Sequence, residues 1–273
     1  MKNIWRSIKI NKMEIILRKT IKSGNASAVV LPKSWLDKKV RVEIIDKSLE
    51  TILHDVLDII KFHIDLPEII GIYLVCIYAR GDQTDLSDID ILIISEKTNK
   101  ELIKKENYNI LVISLDLLKY KLKENLLPIG PMLKEAKPLL NNNFLKQIEV
   151  NVTKKNIKWY LETTKDRLKI INNSIDRIEK AKPNGKLSDA IAYSLILRLR
   201  TLYMINCLRN NKLYNKNEFV SLIKKISGSS KAYERYIYAK DNQDNKRELP
   251  LNEGKSLYIY LKKCLRDISS SVK

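Results

Sequence analysis

From residue 48 the apolar positions fall at helical spacing. In "SLETILHDVLDIIKFHI", Ile52, Leu53, Val56, Ile59, Ile60 and Phe62 recur every three or four residues, which predicts one amphipathic helix. The pattern then changes to "EIIGIYLVCIY" (68–78), "DIDILIIS" (88–95) and "YNILVIS" (108–114), apolar runs rich in β-branched residues and bounded by turn formers. Such runs predict central strands of a sheet covered on both faces. The helix before them and "LDLLKYKLKENL" (115–126) after them supply the covering layers, giving an α/β or α+β sandwich. From residue 144 onward the pattern is helical, with a stop at "KPNG" (182–185), Gly185 closing one helix and Ser188 with Asp189 opening the next. Ahead of residue 48, "MEIILRK", "SAVVLP" and "VRVEII" are short β-branched runs separated by "SGN" and "SWLDKK", a small β unit. The overall class is α+β, with a β unit at 1–47, a sheet domain at 48–143 and a helical bundle at 144–273.

Composition adds a partner. The chain has 273 residues, more than one core usually serves, and a formal charge of +19. Residues 1–47 hold 12 Lys and Arg against 4 Asp and Glu, residues 48–150 hold 12 against 16, and residues 151–273 hold 27 against 12. A mildly acidic middle between two basic segments suits a polyanion gripped at the ends while the centre holds cations, so DNA or RNA is an expected partner. An AT-rich genome and a solvated surface would give the same Lys-, Ile- and Asn-heavy composition. Cys76, Cys207 and Cys264 lie far apart, without metal-ligand spacing, which suits a reducing compartment. No uninterrupted apolar run approaches the roughly 20 residues that span a bilayer. A cytoplasmic protein with no membrane partner is expected. His54 and His63 are the only histidines and read as surface or core-edge residues. Tyr233, Tyr236 and Tyr238 have the helical spacing of core packing, with base stacking as the alternative.

The chemistry concentrates in "IYARGDQTDLSDIDILII", residues 77–94. In a strand, residues i and i+2 project from one face, so Asp88 and Asp90 point together while Ile89, Ile91 and Ile93 pack the other way. Two such carboxylates resist ionisation unless a cation neutralises them. Arg80 is one candidate, and a hard divalent ion with oxygen ligands is the more economical one.

The same stretch resembles the loop and strand of nucleotidyltransferases of the DNA polymerase β superfamily, including minimal nucleotidyltransferases, which read like "GSxARGDxTxxSDIDLLV". The resemblance covers about residues 48–137. It implies Asp88 and Asp90 as catalytic Mg²⁺ ligands, with two metals conceivable, and in-line attack by a hydroxyl on the α-phosphorus of a nucleoside triphosphate. It assigns the nucleotide loop to Cys76, Ile77, Arg80, Gly81 and Ser87, and the third metal ligand to Asn109. The acceptor would be a hydroxyl on a protein, an RNA or a small molecule. Two departures bear on activity. Cys76 and Ile77 replace a Gly-Ser pair that lets backbone and hydroxyl reach phosphate. Asn109 stands where the family has a carboxylate, and an amide can ligate but cannot act as a base. Glu106 would take that role if the register slipped. The alternative is a catalytically degenerate fold serving as a DNA-binding antitoxin or transcriptional regulator.

Both ends carry further resemblances. "KSGNASAVVLPKSW" is similar to the "GNSxAVxIPK" signature of MazE/AbrB-type swapped hairpins through Gly24, Asn25, Ala28, Val29 and Pro32. That implies an intertwined homodimer and a DNA-binding face with Lys19, Lys22, Lys33 and Arg41. "AYSLILRLRTLYMINCLRN" resembles a helix of HEPN-type proteins. No histidine follows His63, so the R(x4-6)H motif of HEPN ribonucleases is missing.

Overall fold

The computed structural model describes residues 16, 18, 20–42, 47–84, 87–182, 185–240 and 249–272. They belong to two compact units, Met1–Asp46 and Lys47–Lys273. In the first, β1 (Ile21–Ser23) and β2 (Ala26–Ala28) form an antiparallel hairpin. Gly24 turns it at φ +60°, a left-handed conformation that glycine adopts without steric cost. A 3-10 turn, Lys33–Trp35, follows. None of the described residues of this unit is buried, and Val30, Val40 and Val42 are exposed. The strand expected at "MEIILRK" falls almost wholly outside the described residues. Val40–Val42, expected as the start of a strand, is not one: no described neighbour offers it a ladder.

The second unit begins with α1 (Leu49–Ile60), capped by the Ser48 hydroxyl, which accepts from the Thr51 N–H. Phe62, expected on its apolar face, lies past the helix end and is exposed. A five-stranded mixed sheet follows from β3 (Ile69–Val75), β4 (Ile89–Ser95), β5 (Lys100–Lys105), β6 (Tyr108–Ser114) and β7 (Lys137–Leu140), in the order β5-β6-β4-β3-β7. Only β4 and β6 run parallel. The alternation of side chains feeds two cores. Ile91 and Ile93 of β4 and Ile110 of β6 pack with Val56 and Ile60 of α1 on one face. Tyr73, Leu92 and Ile94 pack on the other with Leu118 and Leu133, from α3 (Leu115–Glu124) and α4 (Gly130–Glu135). Each such side chain contributes about 1.5–3 kcal/mol by leaving water.

The run read as one strand through Tyr78 stops at Val75. Cys76 takes φ +59°, which breaks the ladder, and the chain winds into the one-turn α2 (Cys76–Arg80), closed by Gly81 at φ +80°. After α5 (Asn142–Gln147) come the long helices α6 (Lys154–Ala181) and α7 (Asp189–Arg209), then α8 (Lys216–Ser227), α9 (Lys231–Lys240) and α10 (Leu251–Ser271). Leu168, Ile171, Leu195, Leu199, Leu257 and Leu261 join in their shared core. A two-residue ladder between β8 (Lys186–Leu187) and β9 (Leu249–Pro250), unheralded by the apolar pattern, ties the start of α7 to that of α10. Buried Asn156 links the sheet layer to the helices: its amide donates to the carbonyls of Leu122, 2.7 Å, and Asn151, 2.8 Å. By length and composition α7 is long and apolar enough to cross a membrane. It carries Arg198 and Arg200 near its middle and buries Leu195, Ile196, Leu199 and Leu202, as a core helix does.

Candidate active site

The carboxylate pair sits where β4 begins. Asp88 is the last residue before the strand and Asp90 its second, and the parallel register sets Asp90 beside Asn109 of β6. The Asn109 amide nitrogen donates to both, 3.2 Å from Asp88 Oδ2 and 3.4 Å from Asp90 Oδ1. The two carboxylates therefore converge on one point, presently served by a neutral group. Burial raises the Asp90 carboxyl above its ordinary range, bonds from Asn109 and the Cys76 thiol pull it back, and the Asp88 charge pushes it up again. Glu106 does not replace the missing third carboxylate. The Asp90–Asn109 pairing leaves no slip in register, and Glu106 is exposed in the β5–β6 turn.

Arg80 makes no direct ion pair with either aspartate among the described residues, although its charge pulls the Asp90 carboxyl down. Its Nη1 donates to Glu135 Oε2 at 2.5 Å and its Nε to Asp82 Oδ2 at 3.4 Å. Glu135, at the end of α4, is 6% exposed, and its other oxygen accepts from the Cys76 backbone N–H at 2.9 Å. Burial lifts its carboxyl above the ordinary range while Arg80 and the Cys76 N–H hold it down. The backbone N–H at the head of the expected phosphate loop is thus already taken by an internal anion. Burial, Asp90 and Glu135 push the Cys76 thiol up to about 12, so it stays a neutral donor. Ile77 is 36% exposed, Gly81 closes α2, and the Ser87 hydroxyl accepts from the Thr84 N–H at 2.9 Å.

Glu135 was invisible in the sequence because nothing in "PMLKEAK" distinguishes it from a surface glutamate. A second missed residue is Arg200 of α7. Its guanidinium lies 5.4 Å from the centre of the Tyr214 ring, with Nη1 3.3 Å from the Tyr236 hydroxyl. Arg80 approaches the same Tyr214 ring at 5.9 Å, and Glu135 and Tyr214 line one narrow crevice. Among the described residues Arg200 has no carboxylate partner. Tyr236, itself buried, stacks on Tyr193, and Tyr233 packs against both Tyr236 and Phe219. In the N-terminal unit Lys22 lies on β1, Lys33 opens the 3-10 turn and Arg41 follows in extended chain, all exposed; Lys19 lies outside the described residues.

Residues 53–162 match the family model of the nucleotidyltransferase domain, a span holding β3 to β7, both aspartates, Asn109 and Glu135. Over that span the chain is similar to nucleotidyltransferase domains. No curated protein sequence matches the chain. Among solved structures it is similar to a nucleotidyltransferase-like protein from Exiguobacterium sibiricum, at 14% identity and a TM-score of 0.37, over 79% of this chain and 75% of that one. It is also similar to a spectinomycin adenyltransferase from Enterococcus faecialis, solved with ATP and spectinomycin, at 12% identity and a TM-score of 0.40, over 78% and 98% of the two chains.

Among the described residues no group of three His, Cys, Asp or Glu gathers around one point. The donor set at β4 and β6 nonetheless fits a hard divalent ion. Two carboxylates converge within hydrogen-bonding distance of one Asn109 nitrogen, no Lys or Arg is paired with them among the described residues, and a turned amide would present its carbonyl oxygen to the same point.

Proposed function

We propose that this nucleotidyltransferase domain moves a nucleoside monophosphate from a triphosphate to a hydroxyl on a protein, an RNA or a small molecule. The observation that carries the reading is the convergence of Asp88 and Asp90 on Asn109 with no cation paired to them. Asp88, Asp90 and the Asn109 carbonyl would hold Mg²⁺, which supplies charge for the triphosphate and a lowered pKa for the acceptor hydroxyl. In the transfer, the acceptor oxygen bonds to the α-phosphorus, the α–β phosphoanhydride breaks, pyrophosphate leaves and the hydroxyl proton passes to solvent. Arg200, held by Tyr214 and Tyr236 and free of any described carboxylate, is the side chain we assign to the leaving phosphates. Asn109 brings no base, so the reaction is expected to be slow.

A second reading, a degenerate domain kept as a scaffold in a DNA-binding antitoxin or regulator, is favoured by one observation. Glu135 occupies the Cys76 N–H and claims Arg80, groups that a nucleotide loop would otherwise offer to phosphate. The two readings separate in one assay. Incubation with α-labelled ATP, CTP, GTP and UTP plus Mg²⁺, offering RNA, cell protein and small hydroxyl compounds, should give label transfer that Asp88→Ala removes. No transfer to any acceptor, with salt-sensitive duplex binding that survives Asp88→Ala, would establish the scaffold instead.

For the N-terminal unit we propose pairing with a second copy through the hairpin. Its described part buries no residue, and a piece of about 40 residues rarely folds without such help. Light scattering of the whole chain should give twice the 31.8 kDa monomer mass.

A further inference from the structure

Arg200 has a neighbour that faces elsewhere. Arg198 is two residues away on α7, about 200° round the helix, so it points away from the Arg200 side. Its Nη1 donates to the Thr163 hydroxyl of α6 at 3.0 Å, and its Nε is buried with no hydrogen-bond partner. Burial lowers the Arg198 pKa, and the charged group that adds to this is another cation, Arg167. Neither guanidinium has an ion-pair partner among the described residues. Two like charges acting on each other and an unused buried N–H, where a partnered N–H is the rule, would both be relieved by an anion.

The neighbouring side chains indicate what kind. Trp159, Thr163 and Arg167 are spaced i, i+4 and i+8 on α6 and share one face. Trp159 is 59% exposed although its ring is the largest apolar surface on that face, and the Thr163 hydroxyl donates to its carbonyl at 2.8 Å. Along the axis of α6, Trp159 stands about 6 Å from Thr163, which holds the Arg198 guanidinium, and about 12 Å from Arg167. Exposed Lys165 flanks the strip, as do Lys158 and Lys169, which pair with Glu162 at 3.9 Å and Asp166 at 3.3 Å, within a segment holding 27 Lys and Arg against 12 Asp and Glu.

We propose that Trp159, Thr163, Arg167 and Arg198 form a binding site for single-stranded nucleic acid, in which the two guanidiniums hold a backbone phosphate and Trp159 stacks an adjoining base. A free phosphate would leave the exposed indole without a role, and a duplex keeps its bases stacked on one another, out of reach of the ring. The site is independent of nucleotidyl transfer, since it stands on the opposite face of α7 from Arg200 and needs neither aspartate.

The test uses the full chain and a 12-nucleotide labelled oligouridylate carrying 5-iodouridine. Irradiation should crosslink the peptide containing Trp159. Arg167→Gln, an exposed change that leaves the fold intact, should weaken binding about fivefold, and Arg167→Gln with Arg198→Gln more than tenfold. The double change should reduce the slope of log K against log salt by about 0.7, the share of one phosphate on a single strand. Trp159→Leu should weaken binding about tenfold or more, the range of one lost base stack. Affinity for Mg·ATP should not change in any of these variants. The proposal is overturned if crosslinks map only to residues 1–46, if Arg167→Gln leaves affinity and salt slope as they were, if a duplex of matching sequence competes equally, or if inorganic phosphate displaces the oligonucleotide at equal concentration.

Discussion

The two sides of the candidate active site handle charge in opposite ways. At the turn from β3 into α2 every charge is answered from within: Glu135 takes the Arg80 guanidinium with one oxygen and the Cys76 N–H with the other. At the start of β4 two carboxylates share one neutral amide. The sides differ in exposure as well, since Asp88 is exposed and Asp90 half-buried while the Glu135 side chain is buried. Asp90 and Glu135 nonetheless both lie partly out of water, and only Glu135 is answered by a cation at contact. A buried group already matched in charge and hydrogen bonds resists a new ligand, whereas an unmatched like-charge pair is stabilised by one. On the function proposed above, the β4 side would take a cation, and the α2 side would have to give up an internal anion before taking phosphate.

The sharpest way to break this contrast is to remove half of the unmatched pair. Asp90→Asn is expected to lower label transfer by about 10³-fold, the scale of a lost electrostatic anchor in a reaction centre. Unchanged transfer would place the chemistry elsewhere. Glu135→Ala attacks the balanced side and leaves Arg80 with only its longer contact to Asp82, so urea unfolding should report a loss of about 2–3 kcal/mol. Triphosphate affinity should rise in the same variant as the Cys76 N–H comes free, and a fall instead would make Glu135 a support for the nucleotide rather than its competitor. Asn109→Asp returns a base to the unmatched side and is expected to raise transfer about 10²-fold. If it does nothing, the missing carboxylate is not what limits the rate.

A smaller effect tests the pairing through pH. The folded-state pKa of Asp90 is raised, so its contribution to stability is full at low pH and is lost as pH rises through that raised value. Without metal, the melting temperature should fall across that window. The gain from added Mg²⁺ should grow over the same range, because the ion needs both carboxylates ionised. A gain that is flat with pH would remove Asp90 from the ion's ligands. Smallest of all, Cys76→Gly relieves the positive φ of a non-glycine residue, worth about 1–2 kcal/mol, and forfeits the buried thiol, so unfolding should shift by no more than about 1 kcal/mol.

Much of the fold was legible. The apolar runs marked β3, β4 and β6 because strands buried on both faces cannot alternate with polar residues, and the spacing after Ser48 marked α1 through its cap and its buried stripe. The exceptions have local causes. Val75 ends β3 because Cys76 turns left-handed, a backbone choice that an apolar sequence does not reveal. β7, β8 and β9 are short edges whose pairing depends on where distant segments arrive. Of the candidate site, the side-by-side placement of Asp88 and Asp90 follows from strand period alone, and Asn109 meets them through the β4–β6 register. Glu135 and Arg200 could not be read, because their meaning comes from partners 55 or 59 residues away in one case and 36 in the other.

By itself, then, the sequence determined the alternation that buries β4 and brings Asp88 and Asp90 to one end of it, together with the basic flanks on either side. Both follow from residue order and strand or helix period alone. Only the tertiary structure decided which charges are answered. Whether Arg80 serves phosphate or Glu135, and whether Arg198 has an anion or only another arginine beside it, depends on the packing of α4 and α6 against the rest. Charge balance in a low-dielectric interior is set by neighbours in space, and sequence distance does not fix it.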